Sequence, residues 1–477
     1  MKNKVSGKFF YSFFYSGIQA IGFQVLGVFF FYIISVNFSK ENFGFISWAN
    51  ALCAFMTSLL SGGMEQIMVR RIAVSKTSDW AAAAYLVHSF VSSLIILAVL
   101  MVMHFLFKSS FTFYFLPYFF IAQAITYIAA PLKQFLNAKE KFAPYGIISI
   151  VSNLGKIAAA LFLIRYNVMS ISNMLVILIS FAVMEFVCLF LYIMTKPSFA
   201  FSFYFKFTAY KKLLKESLPQ YLAVIFDGSL SRMDWILLGL ISTRAITADY
   251  SFAYRAHEIA RLPLSIMAQV LLPRFARMMR QGNRFDSTRK GDLEHLFVIE
   301  LFVSTGMIIL LNIIWAPGIF KITGGKYGYS NSLEFLILTV GIPLWFFINI
   351  LWTLCFAGKK YRAITTIIAV SAIVNVGLDL ILIPMFGGKG AAIGFLATAV
   401  VQVIGYYGVV KKNFLTFPLK YIFIFYALGS IVYFGSGFIT NILIIRVISA
   451  LVLYISLCII LRLISKQQLI SLRLFFE

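Results

Sequence analysis

The sequence predicts an all-α polytopic membrane protein with about fourteen transmembrane helices. Three observations predict it. Of 477 residues, 61% are hydrophobic and 12% charged, so lipid rather than water is the bulk solvent. Apolar stretches of about 20 residues, enough to cross roughly 30 Å of hydrocarbon, recur along the whole chain. Lysine and arginine crowd every second connection between those stretches.

In chain order the expected spans are 9–36, 44–69, 81–106, 112–136, 144–164, 170–195 and 217–241, then 247–273, 292–317, 329–357, 362–384, 390–410, 418–437 and 440–463. Lys2, Lys4 and Lys8 precede a first stretch that is long enough to span and has no small-residue cleavage site, so it reads as a retained helix. With the N-terminus inside, the cytoplasmic segments carry 29 basic residues and the outer loops seven. Lys133, Lys139 and Lys141 are counted on the inner side. This asymmetry predicts an N-in, C-in topology, and it accounts for most of the net charge of +24 without nucleic acid as a partner. The outer loops are all short, which leaves no room for the catalytic domain of a polymerase or ligase.

An internal echo divides the chain. Ala138-Lys139-Glu140-Lys141-Phe142 and Ala357-Gly358-Lys359-Lys360-Tyr361 each lead into a helix with an Asn-x-Gly motif, at Asn153 and Asn375. Six helices per repeat fits this spacing and gives two lobes related by a pseudo-twofold axis along the membrane normal, a transporter architecture. The expected organisation is an N-lobe at 1–195, a cytoplasmic linker at 196–216, a C-lobe at 217–411, and two further helices with a tail at 412–477.

Charge inside a bilayer is expensive, and it marks function unless it is neutralised by a structural partner. The fifth span holds Lys156, with no acid within a helical turn; Glu185 on the sixth is a candidate cross-helix partner. Spans seven and eight hold Asp227, Arg232, Asp234, Arg255, Glu258 and Arg261. A salt-bridge network locking two helices is one reading. The other is the wall of a polar cavity, where arginine forks grip phosphate oxygens. Glu300 and Glu185 are candidates for carrying protons, Arg446 is expected to reach the headgroups, and Glu65 to pair with Arg70 or Arg71. His257 could titrate near neutral pH. The four cysteines lie in apolar stretches and read as small apolar residues. No metal-ligand spacing, nucleotide-binding loop or nucleophile elbow is present, which predicts no cofactor, no metal and no enzyme activity.

Several motifs resemble a known family. Ser217-Leu218-Pro219 followed by Arg232-Met233-Asp234, the run from Ala248 to Arg255, Leu272-Pro273-Arg274, and the stretch from Asn375 to Gly394 are similar to Wzx-type polysaccharide repeat-unit flippases. These belong to the multidrug/oligosaccharidyl-lipid/polysaccharide (MOP) exporter superfamily. The resemblance implies two six-helix lobes in a V, as in the MATE exporters, with an alternating-access cavity. It implies transport of undecaprenyl-diphosphate-linked oligosaccharide (O-antigen, capsule or other surface polysaccharide) between leaflets of the bacterial inner membrane, coupled to an ion gradient in the manner of an antiporter. Membrane lipids and other polysaccharide-assembly proteins are the further partners it implies. By position, Lys156, Arg232, Arg255 and Arg261 are then the substrate-binding candidates, and Asp227, Asp234, Glu258, Glu185 and Glu300 the ion-coupling candidates. Many relatives have Asn where this chain has Asp379, which puts in doubt a merely structural role for that helix end. The alternatives are a drug or cation exporter of the same superfamily, whose cavity would be net acidic, a membrane oligosaccharide polymerase, and a peptidoglycan-precursor flippase.

Overall fold

The computed structural model describes residues 22, 24–74, 80–196, 205–280, 287–440 and 442–464, and these form helices joined by short turns, with no strand among them. The basic start, part of the 196–216 linker, Arg284 and the tail with Lys466 and Arg473 lie outside the described residues. The helices are α1 (Gln24–Asn37), α2 (Lys40–Leu60), α3 (Met64–Val74), α4 (Trp80–Leu106), α5 (Phe111–Ala138), α6 (Phe142–Arg165), α7 (Ile171–Met194), α8 (Phe207–Ile241) and α9 (Arg244–Ala260). They continue with α10 (Leu262–Arg280), α11 (Ser287–Ile314), α12 (Phe320–Ile322), α13 (Ser332–Val340), α14 (Ile342–Ala357), α15 (Tyr361–Phe386), α16 (Gly388–Asn413), α17 (Lys420–Ile439) and α18 (Leu443–Ile460).

Among the described residues, eleven segments are long and apolar enough to cross a membrane. The other three expected spans are α1, of which Gln24–Asn37 is described, and the charge-bearing α8 and α9–α10. Sequence signals set the ends. Ser39, Ser170 and Thr243 accept hydrogen bonds from the backbone N–H groups of Asn42, Asn173 and Ile246, three residues on, and so start α2, α7 and α9. Gly387, at φ +56°, turns the chain from α15 into α16.

Three expected spans are each two helices. Gly62 and Gly63 adopt φ of +58° and +69° and separate α2 from α3. A Cβ on Gly63 would meet the backbone nitrogen of Tyr221 at 2.6 Å, so glycine here lets α8 approach. Arg261 separates α9 from α10, where Pro263 follows in the first turn and brings no N–H to bond backwards. Gly341 separates α13 from α14, with Pro343 in the same role. Non-helical backbone at membrane depth is tolerated where protein or a wet cavity covers it.

The chain forms two compact units, Met1–Arg232 and Met233–Glu477. In the first, Tyr85, Tyr127, Leu132, Phe135, Leu189 and Leu213 pack together from α4, α5, α7 and α8. In the second, α11, α14, α17 and α18 share a core around Phe297, Leu301, Phe347, Leu351, Phe425 and Tyr454. The last two helices therefore pack directly on α11. Outer helices behave oppositely: only 17% of the apolar window of α4 and of α18 is buried, which leaves residues such as Ile95 and Ile448 for lipid.

Candidate functional site

In the first unit, three basic and acidic side chains gather between α5, α6 and α7. Lys133 Nζ lies 2.9 Å from Glu185 Oε1, and Ser149 donates its hydroxyl to the same oxygen at 2.6 Å. The Lys133 and Glu185 side chains are 13% and 6% exposed, so the pair is inside the bundle. Lys133, assigned above to the inner side, is thus within a helix that runs on to Ala138. Lys156 lies beyond ion-pair distance of Glu185, though near enough to feel its charge and that of Lys133. Among the described residues Lys156 makes no hydrogen bond or salt bridge. The acid that sequence offered to Lys156 is held by Lys133 instead.

Glu65 is not paired with Arg70 or Arg71. It accepts a hydrogen bond from Tyr85 Oη at 3.1 Å, while Arg71 reaches Glu216 at 2.6 Å. Five and six residues separate Glu65 from Arg70 and Arg71, which at 100° per residue turns those side chains to other faces of α3. Glu216, at the solvent end of α8, is held below the ordinary carboxylate range by the hydrogen bond from Arg71.

In the second unit the α9 ladder separates. Arg255 pairs with Glu258 at 2.7 Å, one turn along. Arg261, at the α9–α10 break, has its guanidinium 3.9 Å from the centre of the Trp345 ring, with Phe395 at 5.9 Å. No hydrogen bond or salt bridge engages it among the described residues, and its Nε is buried without a partner. Arg232 is engaged by neighbours, and Asp227 sits on an exposed face of α8. His257 is buried between Tyr254 and Phe395, with neither ring nitrogen hydrogen-bonded. Glu300 is buried in the α11 core with both oxygens unpartnered.

Asp234 accepts a short hydrogen bond from Tyr250 Oη and one from the Trp235 backbone N–H, and it faces Asp379 of α15 closely enough to interact with it. Asp379 is fully buried, and both its oxygens lack hydrogen-bond partners, as do both amide atoms of Asn375 one turn earlier. Gly394 of α16 makes room: a Cβ there would meet Asp379 Oδ1 at 2.5 Å. The two ends of the Asn375–Gly394 stretch thus meet where Asp379 lies against Gly394. Tyr250 and Lys133 were the residues sequence reasoning missed, because their partners lie on other helices. Among the described residues no group of three or more His, Cys, Asp or Glu could hold a metal ion.

A helical bundle with interrupted spans and buried, partly unpartnered charges defines a membrane transporter rather than an enzyme. The chain belongs to the lipid II flippase MurJ family, whose model matches residues 48–462. Among solved structures, a lipid II flippase MurJ in an inward closed conformation is similar at 16% identity, covering 94% of this chain and 98% of its own, with a TM-score of 0.73. An inward-facing MATE-family multidrug resistance transporter of the MOP superfamily is similar at 14% identity over 82% of this chain and 94% of its own, with a TM-score of 0.65. A Vibrio cholerae MATE transporter in its bent form is similar at 14% identity over 84% and 96%, with a TM-score of 0.53. At these identities the likeness establishes the shared fold. No curated protein matches the sequence.

Proposed function

We propose that this protein flips a polyprenyl-diphosphate-linked oligosaccharide from the inner to the outer leaflet of a bacterial cytoplasmic membrane by alternating access. The observation that carries this reading is a pair of half-buried cations that make no salt bridge among the described residues: Lys156, and Arg261 held by an aromatic ring. A cation at bilayer depth without a counter-charge is costly, and an anionic headgroup removes that cost when it arrives. Ring stacking keeps the guanidinium N–H fork available for phosphate oxygens, whereas a salt bridge would occupy it. Arg255, tied to Glu258, serves the same cargo after exchanging partners or acts as a positioning residue.

The Asp234–Asp379 pair supports uptake of a coupling cation or proton. Two buried carboxyls near enough to feel each other's charge, with an unpaired amide one turn from Asp379, favour a positive charge between them. An Asp379→Asn variant should lose gradient-driven transport while retaining cargo binding.

For the cargo, the Wzx-like motifs favour a surface-polysaccharide repeat unit. The family match supports a second reading, the peptidoglycan precursor that the family's name specifies. Complementation separates them: expression in strains lacking one or the other flippase, reading surface polysaccharide in the first and viability in the second. Lys156→Ala and Arg261→Ala should abolish rescue at matched membrane expression. Full rescue by both variants would refute the cationic-site reading.

A further inference from the structure

The first unit contains a polar cavity that the basic residues do not explain. It lies between α2, α3, α5 and α8 and has a volume of about 310 Å³, near the lower end of the range for small-ligand sites. Gln66, Gln123, Gln220, Thr57, Ser58 and Glu65 are in its wall, and among the described residues no lysine or arginine lines it. None of the three glutamine amides has a hydrogen-bond partner among the described residues. Thr57 donates its hydroxyl to its own helix, at Ala54 O, which leaves the oxygen lone pairs as acceptors. Glu65 is half-buried, and its one hydrogen bond, from Tyr85, leaves its second oxygen unused. Arg71, six residues on, is held by Glu216.

This wall selects its ligand. Unpaired amides and hydroxyls lose hydrogen bonds to water if an apolar group fills the space, so the occupant is polar. Amides donate and accept in fixed pairs, which suits sugar hydroxyls and acetamido groups. A carboxylate with no cation beside it repels a diphosphate and attracts an ammonium. We propose that this cavity receives the glycan head of the lipid-linked cargo and that Glu65 binds a free amino group on it, an inference that rests on the flippase reading above. The diphosphate then belongs with the basic residues, and the cavity sets which heads are carried.

The test uses the full-length protein in proteoliposomes with two probes: a polyprenyl-diphosphate disaccharide bearing a free amino sugar, and the same lipid with that amine acetylated. Wild-type protein should flip the amine form faster. Glu65→Gln should slow the amine form by roughly tenfold, the loss of one charge-assisted hydrogen bond, and leave the acetylated form unchanged. Tyr85→Phe removes the hydrogen bond to Glu65 but keeps the charge, so it should keep the preference. Equal wild-type rates for both lipids, equal loss of both in Glu65→Gln, or loss of the preference in Tyr85→Phe would overturn the inference and leave the flippase reading standing. No flipping of either lipid by wild type would remove both.

Discussion

Removing Lys133, Lys156 or Glu185 singly and in pairs should expose how the charges of the first unit are shared. Lys133 and Glu185 form a buried pair at 2.9 Å, with Ser149 supporting the same oxygen at 2.6 Å. Breaking a buried pair by removing one partner costs about 3–5 kcal/mol, because the other charge stays behind unpaired. Glu185→Gln leaves two ammonium groups facing each other and should cost that full amount. Lys133→Met should cost less, about 1–2 kcal/mol, since Lys156 is near enough to take over the orphaned carboxylate. Lys156→Met alone should cost under about 1 kcal/mol, having no salt bridge to lose. The double variant Lys133→Met/Lys156→Met should then exceed the sum of its singles by about 1–3 kcal/mol, the signature of shared partners. Thermal unfolding in detergent, at one scan rate because such unfolding is commonly irreversible, reads the order. Additive losses, or Lys156→Met as costly as Lys133→Met, would refute the division into one structural and one available lysine.

Gly63→Ala should destabilise strongly, by about 2 kcal/mol or more, since it meets both a positive φ and the Tyr221 backbone; Gly62→Ala, with 3.5 Å of clearance, should cost about 1 kcal/mol, and equal melting shifts would discount the close approach of α8. The Arg71–Glu216 bridge should stabilise at neutral pH by about 0.5 kcal/mol, discounted because Glu216 is 42% exposed. Its carboxyl is depressed in the folded state, so that contribution is present above the ordinary glutamate value of about 4.3 and fades as pH falls through the lower folded value. The gap between wild type and Glu216→Gln should therefore close in acid. In a cysteine-free background, Lys412→Cys should react with an impermeant maleimide from the cytoplasmic side and Lys389→Cys from the outside. The reverse pattern would invert the N-in, C-in topology.

Much of the fold was legible because apolar length is a local property: the eleven strongest spans follow from windows of sequence alone. The breaks at Gly62–Gly63, Arg261–Pro263 and Gly341–Pro343 carry Gly and Pro signals, but an averaging window reads straight through them. The site was less legible because pairing is tertiary. Asp234 is read beside Arg232 in sequence, and only the fold brings it the Tyr250 hydroxyl of α9 as a hydrogen-bond donor. Lys133 sits near the end of its span, where a basic residue ordinarily belongs to the loop, and what keeps it inside is Glu185, on another helix. Asn375, Asp379 and Gly394 stood out as a motif, but their convergence depends on how α15 packs on α16.

The two arginines of the α9 region show two physical ways to keep a cation inside the protein, and only one leaves its N–H donors open. Arg255 is neutralised by Glu258 within its own helix, at 2.7 Å, so any anion must compete with an acid already in place. Arg261 is compensated by the π-face of Trp345 at 3.9 Å, an attraction of about 0.5–2 kcal/mol that fills no N–H donor. The break in the helix is what permits this, because Arg261 caps α9 and is not confined to the ladder face. Trp345→Leu should therefore lower cargo affinity by roughly threefold to thirtyfold through loss of that stacking. Arg261→Lys should retain the charge and lose the bidentate fork, weakening binding without abolishing it. If Trp345→Leu left transport untouched while Glu258→Gln impaired it, the working cation would be Arg255, freed by exchange, and the stacked arginine would be packing alone.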